Sequence, residues 1–81
     1  MSVTEESVEV ILNRFGRTEL TGNDLFAIRN DVLRLTQDQL AKEWDISRTY
    51  VSRIENSDKP SRREADMYRG LLMRRYFFRN F

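Results

Sequence analysis

The chain contains no cysteine and no histidine, and only one proline and three glycines among 81 residues. Without cysteine, neither a disulfide staple nor a thiolate metal site can form. Without histidine, the commonest general base and metal ligand is missing. Catalysis would then rest on carboxylates or lysine, and neither a Gly-rich phosphate loop nor a paired-acid signature accompanies them. The expectation is a non-enzyme with no catalytic residue, no metal, no cofactor and no small-molecule ligand. No apolar run approaches the length of a membrane span, and the first residues lack the basic start and apolar centre of a signal peptide. A soluble, cytoplasmic protein with no membrane partner is expected on those grounds. β-Branched runs alternating with a period of two are also missing, which leaves helices as the building element and an all-α fold as the expectation.

Charge is present in both signs, and its distribution says more than its total. The net charge is +1. Residues 1–24 carry two basic and five acidic side chains, a balance of −3, whereas residues 25–81 carry twelve and eight, a balance of +4. From Ser47 onward nine basic residues face four acidic ones, +5. A basic half of this kind fits a nucleic-acid face better than the overall charge suggests.

Apolar spacing marks five helical stretches. Val8, Ile11, Leu12 and Phe15 follow the i, i+3, i+4, i+7 rule, so residues 4–15 form an amphipathic helix capped by Thr4 and stopped by Gly16. Thr21, with Asp24 three residues on, caps a second helix whose inner face is Leu25, Ile28 and Val32. Arg29 falls inside that apolar arc and needs an acidic partner there; Glu55 is the residue named for it. Thr36 caps a third helix and Ser47 a fourth. Asn56 to Pro60 is a turn by composition. Ser61 and Glu64 have capping-box spacing and open a fifth helix, with Ala65, Tyr68, Leu72 and Tyr76 along one face. At this length the chain is one domain burying about 60–65% of its unfolded surface. It divides into an N-terminal helical extension (1–21), a core (22–72) and an aromatic–basic tail (73–81).

The stretch Thr36–Asn56, TQDQLAKEWDISRTYVSRIEN, is the part that declares a function. On a wheel of about 100° per residue, Val51 and Ile54 mark the buried side of its second helix. Arg48, Thr49, Ser52 and Arg53 fall together on the other side, which suits an anionic partner. The tail, RRYFFRNF, sets Tyr76, Phe77, Phe78 and Phe81 among Arg74, Arg75 and Arg79. Aromatics at a chain end call for burial, and a two-fold interface between two copies would supply it.

Thr36-Gln37, Leu40-Ala41, Ile46-Ser47, Val51-Ser52 and Ile54-Glu55-Asn56 together resemble the helix-turn-helix of the Cro/C1-repressor (XRE-like) family over residues 22–72. The segment Ser47–Ser52, SRTYVS, also resembles the recognition helix of restriction–modification controller proteins, a branch of that family. The resemblance implies a compact five-helix lambda-repressor-like DNA-binding domain, here with an extra N-terminal helix. It implies a bacterial or phage-encoded regulator, bound as a homodimer to double-stranded DNA and associated with the nucleoid when bound. Two departures stand out. Asp45 occupies the turn position where the family usually has Gly, a position that needs φ > 0. Arg29 lies one residue farther from Thr36-Gln37 than the family's helix-one Arg.

By that resemblance the second motif helix enters the major groove. Arg48 and Arg53 offer bidentate forks to guanine, Thr49 a hydroxyl or methyl, and Ser52 a short hydroxyl, with Tyr50 on the flank as a further base reader. Gln37, Ser47, Asn56, Lys59 and Arg62 contact phosphate and set register. The dimer interface uses Tyr68, Leu72, Tyr76, Phe77, Phe78 and Phe81. The rival reading is a protein-interaction module on the same fold, an anti-repressor or antitoxin-like adaptor. It would show little salt-dependent retention on random duplex DNA.

Overall fold

Four of the described helices begin at a side chain that replaces a missing intrahelical bond. In the computed structural model, which describes residues 13–17 and 19–77, Thr21 Oγ1 accepts the Asp24 N–H at 3.1 Å while the Asp24 carboxylate accepts the Thr21 N–H at 2.8 Å. That reciprocal box opens α1, Gly22–Ala27. Thr36 and Gln39 form a second box at the start of α2, Gln37–Trp44. Ser47 caps α3, Arg48–Glu55, through its hydroxyl and the Tyr50 N–H at 3.0 Å. Ser61 and Glu64 form the third box and open α4, Arg62–Leu72. Each such cap is worth about 1 kcal/mol. A further helical turn over residues 13–15 precedes α1, and no strand occurs among the described residues. The rest of the N-terminal helix expected over 4–15, with its cap at Thr4, lies outside them, as do Phe78 and Phe81.

The helices close on one core. Leu25 and Ile28 from α1 and its continuation, Leu40 from α2, Val51 from α3, and Tyr68 and Leu71 from α4 are all under 2% exposed. Burying an aliphatic side chain of that size contributes about 1.5–3 kcal/mol. Phe15 and Leu20 are buried with them, so the core reaches N-terminal of residue 22. The ring of Trp44 meets Tyr68 edge-on, with centroids 5.1 Å apart.

The chain departs from simple α-helices where α1 ends. Ile28–Val32 is a π-helical turn in which the Leu33 N–H reaches the Ile28 carbonyl at 3.0 Å, five residues back. A π turn takes up one residue more than an α turn at nearly the same advance. Arg29, the second residue of this turn, faces inward and is 4% exposed. Arg34 then reverses the chain at φ 56°, and the Leu35 N–H returns to the Arg29 carbonyl at 2.9 Å. A second π turn, Met73–Phe77, extends α4.

No described glycine has positive φ; the two left-handed residues are Arg34 and Asp45. The helical turn over residues 13–15 ends at Gly16, the residue expected to stop it. Asp45 closes α2 in the left-handed conformation, at φ 55° and ψ 48°. Its N–H bonds the Lys42 carbonyl at 3.2 Å and the Ile46 N–H bonds that of Ala41 at 3.0 Å, the paired closure of a Schellman turn.

Candidate nucleic-acid interface

The α2–Asp45–α3 unit stands on a buried ion pair. Arg29 donates from Nε to Glu55 Oε2 at 2.7 Å and from Nη2 to Oε1 at 2.9 Å. Its Nη1 donates to the Leu35 carbonyl at 2.6 Å, and the Phe26 ring lies 5.1 Å from the guanidinium carbon. Tyr68 donates its hydroxyl to Glu55 Oε2 at 2.7 Å, and the Gln37 amide donates to Oε1 at 3.2 Å. The two side chains of the pair are 4% and 2% exposed. Four donors on one carboxylate satisfy it, and among the described residues no buried side-chain polar atom lacks a partner. The pair expected from the wheel is thus formed, and with Gln37 and Tyr68 it ties the π turn after α1, α2 and α4 to the inner side of α3.

Tyr68 titrates above its usual range, because burial disfavours the phenolate and the hydrogen bond and negative charge of Glu55 add to that. Unfolded tyrosine ionises near pH 10, and folded Tyr68 holds its proton beyond that point. Its contribution is full below about pH 10. Above that the unfolded chain binds fewer protons, so stability falls by about 1.4 kcal/mol per pH unit. Denaturant melts between pH 9 and 11 are expected to show this slope, and Tyr68→Phe is expected to remove it. An unchanged slope in Tyr68→Phe would assign the alkaline loss to other groups.

With Val51, Ile54 and Glu55 directed inward, Arg48, Thr49 and Arg53 are exposed and Ser52 is half-buried. Arg48 approaches Asp38 at 3.8 Å, both side chains more than 60% exposed, a contact that contributes little in water. Arg53 lies with its guanidinium carbon 4.9 Å from the Tyr50 ring centroid. Tyr50 is half-buried and donates its hydroxyl to Glu64 at 3.2 Å. Asn56, exposed at the end of α3, is held by its amide to the Ser52 carbonyl at 2.8 Å.

The first turns of α2 and α3 open on one depression of about 510 Å³, lined by Phe26, Asn30, Gln37, Asp38 and Arg48, with Arg29 at its floor. Phe26 and Asn30 are additions that sequence reading missed. Apolar spacing sets Phe26 on the widened inner face of its helix, but the structure leaves it 38% exposed because it lies at the edge of that arc. Lys59 and Arg62 share a different depression of about 220 Å³ with Glu19 and Pro60. Of the ten residues read as DNA contacts, Gln37 and Arg48 line the first depression and Lys59 and Arg62 the second.

Two interface assignments need correction. Tyr68 and Leu72 are 0% and 5% exposed, so they are spent on the chain's own core and offer no surface to a second copy. The helical wheel cannot tell a face that buries in its own domain from one that buries in a partner. Tyr76 is partly buried against the same core. Met73, at 42%, is an exposed large apolar residue nearby.

A protein-family model described as Helix-turn-helix matches residues 27–66, which run from the last residue of α1 into α4. This segment is the one that holds the two capped helices, the left-handed Asp45 and the Arg29–Glu55 pair. Residues 27–66 belong to the Cro/C1-type helix-turn-helix family. The helix-turn-helix of this family is a DNA-binding regulatory element and not an enzyme. Outside the matched segment lie Gly22, which lets α1 approach α3, and Phe26, which covers Arg29. No curated protein and no solved structure gives a significant match to the chain. Among the described residues no group of acidic, cysteine or histidine side chains could hold a metal ion, and no helix is long and apolar enough to cross a membrane.

Proposed function

We propose that this protein is a sequence-specific transcriptional regulator that lays α3 in the major groove of double-stranded DNA. The observation that carries the reading is the division of α3. Its inner side is locked by Glu55 to three other helical segments, and its outer side presents Arg48, Thr49 and Arg53, with Ser52 between them. A helix held rigidly from below and bearing two guanidinium forks and two hydroxyls suits base-edge reading. Tyr50 borders that surface. The N-termini of α2 and α3 meet at one depression, where the positive ends of both helix dipoles favour phosphate at Gln37 and Ser47. Asn56, Lys59 and Arg62 supply further backbone contacts that set register.

A single such helix spans only a few base pairs. Two copies related by a two-fold axis, with half-sites about 34 Å apart, would read a palindrome. The aromatic residues Tyr76, Phe77, Phe78 and Phe81 are the segment offered for that pairing, with exposed Met73 three residues before Tyr76 in the chain. Such a dimer would act as a repressor or a controller-type regulator.

Selection of bound sequences from a random duplex pool tests the whole reading, run on the wild type, Arg48→Ala and Lys59→Ala. The wild type should enrich a palindrome. Arg48→Ala should lose about 1–3 kcal/mol on the selected site and blur one base pair in each half. Lys59→Ala should weaken all sequences alike and lower the salt slope by about one. Equal, sequence-blind losses would sink the readout assignment. An unenriched wild-type pool would replace DNA reading with the protein-interaction alternative.

A further inference from the structure

The two arginines of the reading surface are held differently. Arg48 has only its long approach to Asp38, at 3.8 Å and open to water. Arg53 lies across the ring of Tyr50, three residues earlier on the same helix, with 4.9 Å between guanidinium carbon and centroid. That ring is itself fixed twice. It packs against the core, and its hydroxyl donates to Glu64 Oε2 at 3.2 Å. Glu64 is fixed in turn, because its other oxygen accepts the Ser61 N–H at 3.0 Å and its own N–H donates to the Ser61 hydroxyl at 3.1 Å. The chain of contacts therefore runs from the first turn of α4, through Glu64 and Tyr50, to the guanidinium of Arg53. No hydrogen bond among the described residues occupies that guanidinium, so its N–H fork is available to a ligand.

We infer that Glu64 is a positioning residue for sequence readout: by holding Tyr50 it fixes the platform on which Arg53 lies, and so fixes the direction in which Arg53 presents its fork. The inference rests on the reading of Arg53 as a base-contacting residue. A free arginine loses much rotamer freedom when its fork docks on a base, and an arginine already stacked loses less. The single donor of Tyr50 is committed to Glu64, which gives Tyr50 a supporting part beside Arg53. The Glu64 carboxyl is also held below its usual range. The Ser61 backbone N–H is the largest cause, opposed by burial and aided by Tyr50, the Ser61 hydroxyl and the nearby charge of Arg53, so the acceptor is ionised at neutral pH.

The test is a comparison of base preferences selected from a random duplex pool by the full chain and by four variants. These are Arg53→Ala, Glu64→Gln, Tyr50→Phe and the double variant Arg53→Ala/Glu64→Gln. Arg53→Ala marks the base pair that Arg53 reads. Glu64→Gln keeps an oxygen for the Ser61 cap, and Tyr50→Phe keeps the ring, so both should remain folded by thermal melting. Each is expected to weaken discrimination at the marked base pair by about two- to five-fold, the worth of an exposed cation–π contact, with other positions and the salt slope unchanged. The double variant should discriminate no worse than Arg53→Ala alone, because Glu64 acts through Arg53. Loss spread evenly over all sequences, or full additivity in the double variant, would make Glu64 a helix cap only and overturn the inference. If Arg53→Ala marks no base pair, the reading of Arg53 fails and the inference falls with it. If Arg53→Ala marks one and neither Glu64→Gln nor Tyr50→Phe affects it, the inference alone fails.

Discussion

Replacing Glu55 by Gln is expected to cost about 3–5 kcal/mol of stability. The change is isosteric, so packing is nearly kept and the charge of Arg29 is what suffers. Arg29 is 4% exposed and has two of its three bonded nitrogens on Glu55. Left unpaired in the interior, it loses both its hydration and its counter-charge. A domain of 81 residues has a total stability of roughly 4–12 kcal/mol by the usual per-residue range, so the single change consumes a large fraction of it. Urea denaturation would measure the loss. The same logic predicts that a joint replacement, Arg29→Met with Glu55→Leu and Tyr68→Phe, recovers most of it, because no charge or hydroxyl is then stranded. A loss below about 1 kcal/mol for Glu55→Gln would mean that water reaches the pair and that it is not what holds α3 in place.

Gly22→Ala is expected to be nearly as damaging, for a reason that involves no charge. A Cβ at Gly22 would lie 2.4 Å from the Ser57 carbonyl oxygen, 2.6 Å from that of Glu55 and 2.8 Å from the Glu55 carbonyl carbon. All three are backbone atoms at the end of α3, and none can swing aside as a side-chain tip could. The Gly22 N–H also bonds the Ser57 carbonyl at 2.9 Å, so α1 and the end of α3 are joined as well as pressed together. Overpacking of this kind costs about 1–3 kcal/mol, and rigid neighbours put the change near the top of that range. Each kcal/mol lowers the Tm of a domain this size by about 4–8 °C. A Tm unchanged within 2 °C would show that α1 can move off α3 at little cost. In that case the contact is not what sets the spacing of the two helices.

Much of the site was legible because it depends on residues close in sequence. Thr21 with Asp24 and Ser61 with Glu64 are three apart, the distance at which a cap closes in any helix. The outward placing of Arg48, Thr49 and Arg53 follows from the turn angle of α3 alone. Glu55 as the partner of Arg29 could be named because both fall on the inner arcs of their helices, although 26 positions separate them. Tyr68 was harder. Its position on the inner face of α4 was clear, but not whether that face met its own domain or a second copy. Its hydroxyl contact with Glu55 was therefore missed.

Local pattern determined the helices, their caps and the surface of α3 that points away from the core. Each follows from bonds and turn angles spanning four residues or fewer. Tertiary structure alone decided the rest. The π turn over Ile28–Val32 carries Arg29, whose guanidinium is buried against Glu55. The glycine at position 22 is required by space between two helices and not by its own φ. The platform under Arg53 depends on α4 setting Glu64 within hydrogen-bonding distance of Tyr50, fourteen residues away. Such contacts depend on how whole helices pack, and no local pattern encodes the distance between two helices.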